Sequence, residues 1–203
     1  MHRNVICTVL LAATTFVATT AFGADKKAAP AVDKKAAEQQ KMMAEMEKLA
    51  APGAEHKWLT DGIGTWSTAS KMYMDPSKPP MESVGTEEVK AILGGRFVES
   101  HLTSQVFGKP FEGFGTAGYD NTKKKFVMTW IDSMGTQVIY CEGTGDQKQR
   151  VYVGEETAPN GQKHPFRWVI KTESKDKRSM EMYGPGMDGK EMKQMEVTYT
   201  RKP

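Results

Sequence analysis

The sequence predicts an all-β domain, an antiparallel up-and-down barrel of about ten strands, preceded by a signal peptide and one N-terminal helix. Three observations carry the prediction. Beyond Pro52-Gly53 the chain alternates with period two, Trp66, Thr68, Ser70, Met72 and Met74 standing against Thr65, Ser67, Ala69, Lys71 and Tyr73. The alternating runs are short and separated by clusters of Gly, Pro, Asn and Asp. No helical period of useful length interrupts them, which excludes parallel crossovers, and a meander of this length hides its edges by closing on itself.

Composition sets the outer bounds. The 203 residues are 38% hydrophobic and 26% charged, with four Trp, eight Phe and six Tyr, enough for one packed core but too polar for a multi-span membrane protein. The formal net charge of +3 is spread over 28 basic and 25 acidic groups. That balance makes no basic field of the kind nucleic-acid binding requires.

Residues 1–23 have the layout of a secretory signal. His2 and Arg3 precede an uncharged apolar stretch from Val5 to Phe22, and Ala21-Phe22-Gly23 presents small residues at the −3 and −1 positions of a cleavage site. Cleavage is expected near Gly23, which places the mature protein in a bacterial periplasm or outside the cell. About eighteen apolar residues would just span a bilayer. The Ala and Thr content of the stretch and the cleavage site directly after it favour removal, leaving no membrane span. Cys7 leaves with the signal, so Cys141 is the sole mature cysteine and no intrachain disulfide can form.

Residues 24–53 read as a tether followed by a helix rich in Met, Ala and Lys. Asp25 to Val32 suits a flexible tether, and Asp33 suits an N-cap. Ala36, Gln39 or Gln40, Met43, Met46, Leu49 and Ala50 then recur at three- and four-residue steps until Pro52-Gly53 stops the helix. Its apolar edge is expected to rest on the domain or on a partner. Met42, Met43 and Met46 lack a neighbouring His and suit packing better than copper.

Residues 54–203 form the barrel. After the first run come Ser83 to Leu93, Arg96 to Val106, Gly113 to Tyr119, Lys125 to Asp132, Thr136 to Glu142, Arg150 to Glu155, Phe166 to Glu173, Arg178 to Tyr183 and Met192 to Arg201. Several runs carry aromatic or Met residues on one parity, as in Phe126, Met128, Trp130 and Asp132, or Phe166, Trp168 and Ile170, or Met195, Val197, Tyr199 and Arg201. Barrels of this size are filled by side chains or hold one small ligand. Soft methionines and flat aromatics suit an apolar guest and suit a filled core equally.

Gly64-Thr65-Trp66 opens the first strand, and Arg201 lies two residues after Tyr199 on the last. This arrangement resembles the calycin pattern of lipocalins, in which an Arg or Lys from the last strand covers a G-x-W on the first. The loop motifs and disulfide of lipocalins proper are not visible. Together with that triplet, Glu55-His56-Lys57-Trp58-Leu59, Gly94-Gly95-Arg96-Phe97, Phe111-Glu112-Gly113-Phe114-Gly115, Gly118-Tyr119-Asp120 and Trp130-Ile131-Asp132-Ser133 resemble a family of secreted bacterial proteins of unknown function with lipocalin-like barrels. The resemblance implies fold and export and brings no activity. A more distant similarity to nitrobindin, a ten-stranded haem barrel, rests on Gly64-Thr65-Trp66 and strand number. Proteins of that type ligate haem through a late His, whereas the last His here, His164, falls in the Pro159 to Pro165 loop.

The expected ligand-binding set is Trp66, His101, Met128, Trp130, Asp132, Trp168, Met182, Tyr199 and Arg201, with no catalytic or metal-ligating residue assigned. Glu99 and His101 share one strand parity; facing inward they could hold a metal or a proton, and facing outward they are a solvated surface. Asp132 could orient a ligand's hydroxyl or amine, or cap the turn that follows it. Cys141 sits beside Val138, Ile139 and Tyr140 and reads as core rather than nucleophile. No hydrolase elbow, metalloprotease, phosphate-loop or dinucleotide motif occurs. Met180, Met182, Met187, Met192 and Met195 fit barrel lining better than a copper site.

Three functions follow from these residues. The first is an exported, non-enzymatic binder of a small apolar or amphipathic molecule, gripped by Trp130, Trp168 and Met-rich walls. The second is a structural or interaction protein with a filled barrel, and the third an enzyme using Glu99, His101 or Asp132. The expected partner is a small apolar molecule; no cofactor is assigned, haem and copper being the alternatives weighed.

Overall fold

The computed structural model describes residues 30–75, 77–158, 160–186 and 188–203. The expected signal and nearly all of the tether lie outside the described residues. Helix α1 (Pro30–Ala50) begins three residues before the Asp33 expected as its N-cap, on a proline whose fixed φ suits a first helical position. Met43, Met46 and Leu49, expected to pack, are exposed. A second helix, α2 (Ala54–Thr60), follows the break at Pro52-Gly53 and buries His56 and Leu59. His56 Nδ1 accepts a 2.9 Å hydrogen bond from the Gly53 N–H and satisfies a donor at the helix start.

Ten strands follow: β1 (Gly64–Met72), β2 (Met81–Ile92), β3 (Phe97–Val106), β4 (Lys109–Asp120), β5 (Lys125–Asp132), β6 (Ile139–Gly145), β7 (Gln149–Thr157), β8 (Lys163–Ser174), β9 (Lys177–Pro185) and β10 (Glu191–Arg201). Each pairs with the next, and β1 pairs antiparallel with β10 to close the barrel. Closure removes both sheet edges. The turn between β3 and β4 is only Phe107-Gly108, with φ of 54° and 71°. Left-handed φ at both positions is the tight hairpin geometry that matches strand twist, and β4 therefore starts at Lys109 rather than near Gly113. Lys163, His164 and Pro165, expected in a loop, open β8 opposite Thr157, Glu156 and Glu155.

Register sets the inner face. Trp66, Thr68, Ser70 and Met72 of β1 stand beside Arg201, Tyr199, Val197 and Met195 of β10. The buried core concentrates where β1 begins and β10 ends, with Trp66, Val89, Phe126, Tyr152 and Tyr199 packed together with Leu59 of α2. Among the described residues no helix is long and apolar enough to cross a membrane.

Candidate binding cavity

A cavity of about 1320 Å³ runs inside the barrel. It stays open although the inner face carries several large rings, because glycines on neighbouring strands let those rings lie flat. Trp130 on β5 pairs with Gly115 of β4. A Cβ on Gly113 would sit 2.2 Å from Trp130 Cζ2, and one on Gly115 would sit 3.1 Å from Cε3. The indole therefore occupies the wall, where a larger residue would push it into the lumen. Tyr152 lies in the same way against Gly143, with a 2.7 Å approach, and Phe166 against Gly154, with 2.5 Å.

Of the expected set, Trp66, Met128, Trp130, Asp132, Trp168, Met182 and Tyr199 line the cavity. Asp132 takes the turn-capping role, its Oδ1 accepting from the Met134 N–H at 2.9 Å, and its Oδ2 accepts from Trp130 Nε1 at 2.9 Å. The carboxylate thus pins the indole and caps the turn at once. Arg201 closes the end of the barrel rather than lining it. Its guanidinium lies 4.3 Å from the Trp66 ring centre, and its Nη2 and Nε donate to the Asp61 and Lys175 carbonyls at 3.0 Å each. The indole in turn donates from Nε1 to the Gly62 carbonyl at 2.9 Å.

His101 does not join this lining. On β3 the parity that reaches the cavity is Val98, Ser100, Leu102, Ser104 and Val106, so Glu99 and His101 take the outer face. There the His101 ring stacks on Phe114 at 4.3 Å and its Nε2 lies 2.7 Å from Glu112 Oε1. Glu99, His101 and Asp132 consequently do not converge on one reacting centre. Burial pushes the Cys141 thiol up to about 12, which removes its nucleophilic character. Among the described residues no histidine lines the cavity, and no three His, Cys, Asp or Glu side chains gather into a metal site. The donor set therefore does not fit the histidine ligation expected of a haem barrel. Met180, Met182 and Met195 are spread along the walls of β9 and β10; Met187 lies outside the described residues.

Buried charge is the feature that the alternation did not announce. Glu87 and Arg178 form an ion pair inside the barrel, only 11% and 19% of their side chains being exposed. The Arg178 guanidinium lies 4.4 Å from the Trp66 ring and 4.6 Å from that of Tyr199. Burial raises the Glu87 pKa and Arg178 pulls against that rise. Arg150, 8% exposed, also lines the cavity, yet its Nε and Nη1 have no hydrogen-bond partner among the described residues. Its guanidinium lies over the Phe126 ring at 5.6 Å. Burial lowers its pKa, with Tyr152 and Asp146 pulling the other way; the guanidinium remains charged, and leaving two of its donors buried and unmet costs stability. The signal was present: Arg150 shares parity with Tyr152, Arg178 with Met180 and Met182, and Glu87 with Val89, each a charge on an inward parity.

Residues 51–201 match the profile of a family described as a protein of unknown function, DUF1579. No curated protein matches. The crystal structure of Rv2717c from M. tuberculosis is similar, at 12% identity and a TM-score of 0.52, over 75% of this chain and 100% of that one. A de novo designed fluorescence-activating β-barrel is similar at 16% identity and a TM-score of 0.41, over 71% of this chain and 96% of that one. At 12% identity the likeness to Rv2717c is one of fold.

Proposed function

Because the chain belongs to the DUF1579 family, whose function is unknown, we propose from the cavity itself that the protein binds a small apolar or amphipathic molecule inside its barrel and performs no chemistry on it. The observation that carries this reading is the open lumen, along whose wall Trp130, Tyr152 and Phe166 each lie against a glycine of a neighbouring strand. A concave space walled by aromatics and methionines, with polar and charged groups set among them, is a usual form of a ligand site. Trp130, Trp168, Met128 and Met182 supply its apolar grip and adapt to the guest's shape. The enzyme reading lacks a convergent acid and base, and the filled-barrel reading meets an unfilled interior.

The same proposal takes residues 1–23 as an export signal, 24–53 as tether and helix, and 54–203 as the binding barrel, which puts the binder in the periplasm or outside the cell. The test is native mass spectrometry of protein purified from its own host. A retained small molecule on a chain beginning near Ala24 is expected. A clean ligand-free mass, together with failure of the protein to bind 1-dodecanol in calorimetry, contradicts the reading.

A further inference from the structure

We propose that the guest is an amphipathic acid whose carboxylate is held inside the barrel by Arg150, with its apolar tail running along Trp168 and Met182. This rests on the apolar-guest reading and adds the chemistry of the guest's head. Arg150 and Tyr152 lie two residues apart on the inner face of β7, and Trp168 of β8 is the cross-strand partner of Tyr152. Besides the two free donors of Arg150, Trp168 Nε1 is buried without a partner among the described residues. The patch therefore offers unmet donors side by side, a demand that only an acceptor fills. Charge narrows the acceptor further. Glu87 neutralises Arg178, whereas Asp146, the acid on the turn before β7, is engaged by the Lys148 and Gln149 N–H groups at 2.7 and 2.9 Å. Within the chain Arg150 is answered only by the Tyr152 hydroxyl and, through space, by Asp146, while Nε and Nη1 stay unpartnered among the described residues. A single carboxylate answers them, and a planar carboxylate suits a guanidinium. The walls beside the patch are apolar: Ile170 opposite Arg150, then Met180 and Met182 on β9. They accept an alkyl chain once the head is anchored.

The test is calorimetric titration of the full chain, in mildly alkaline buffer, with three probes that share one tail: dodecanoate, 1-dodecanol and dodecylammonium. The wild type is expected to bind dodecanoate about tenfold or more tighter than the alcohol, since a charge-assisted hydrogen bond is worth at least that factor, and to bind the ammonium most weakly. In Arg150→Met the dodecanoate affinity should fall to that of the alcohol, with alcohol binding held within about twofold. Trp168→Phe, which removes one donor and trims a wall that both probes touch, should weaken dodecanoate about threefold more than it weakens the alcohol. Equal binding of acid and alcohol by the wild type overturns the carboxylate assignment and leaves the apolar-guest reading standing, as does an Arg150→Met protein that keeps its preference. Failure of both acid and alcohol to bind overturns the two together.

Discussion

Replacing Arg150 by Met is expected to make the ligand-free protein more stable. Arg150 is 8% exposed and carries two buried donors without partners. Each unmade hydrogen bond of a buried group costs about 1–3 kcal/mol, and exchanging buried charge for apolar side chains of similar volume stabilises proteins by about 1–4 kcal/mol. Met keeps most of the stem's packing. Against the gain stands the contact with the Phe126 ring at 5.6 Å, worth about 0.5–1 kcal/mol. The net expectation is a gain of about 1–3 kcal/mol. For a domain of this size that raises Tm by about 3–10 °C. Urea unfolding followed by tryptophan fluorescence and by circular dichroism should show a higher midpoint with an unchanged m value. Destabilisation by more than about 1 kcal/mol would refute the reasoning, because it would mean that the guanidinium is satisfied within the fold. A higher midpoint would mean that the protein retains, on the wall of its cavity, a residue that costs stability and serves a ligand.

Three further outcomes follow from the same geometry. Gly113→Ala places a Cβ 2.2 Å from the Trp130 indole, so the ring should leave the wall and its bond to Asp132; urea unfolding should show a loss of about 1–3 kcal/mol, with a shifted tryptophan emission. Trp66→Ala removes a side chain only 2% exposed that Arg178 and Arg201 both cover, and should cost about 3–5 kcal/mol in the same assay. Glu142, paired first with Lys123 and then with Lys125, and Glu181, paired with Lys171 and Lys193, are each held down to about 2. A carboxyl lowered on folding stabilises above its unfolded pKa and loses that contribution as pH falls through its folded value. The urea midpoint should therefore hold from neutrality down to about pH 5 and drop between about 4.5 and 2.

Alternation made most of the fold readable, because a barrel strand must turn every second side chain inward. β5 runs from Lys125 to Asp132 as its pattern predicts. The misplaced boundaries share a cause, glycine or proline serving inside or beside a strand. Gly143 and Gly145 resemble turn residues, yet they extend β6, where Gly143 makes room for the Tyr152 ring. Pro165 resembles a loop residue and sits within β8. The inner face is readable on strands whose apolar parity is clear, and Met128, Trp130, Trp168 and Met182 do line the cavity. β3 presents mixed polarity on both parities, so its sequence could not tell whether His101 faced in or out; the pairing of Ser100 with Gly115 decides it. Arg150, Glu87 and Arg178 escaped because charge on an inward parity contradicts the rule by which the inward parity is recognised.

The central claim is an open lumen kept clear by rings lying on glycines, and a crystal structure of the protein grown with 1-dodecanol tests it most directly. The alkyl chain should lie among Trp130, Trp168 and Met182, with the Trp130 indole still flat over Gly113 and Gly115. An interior closed by side chains meeting across the tube, with no alcohol inside, would contradict it.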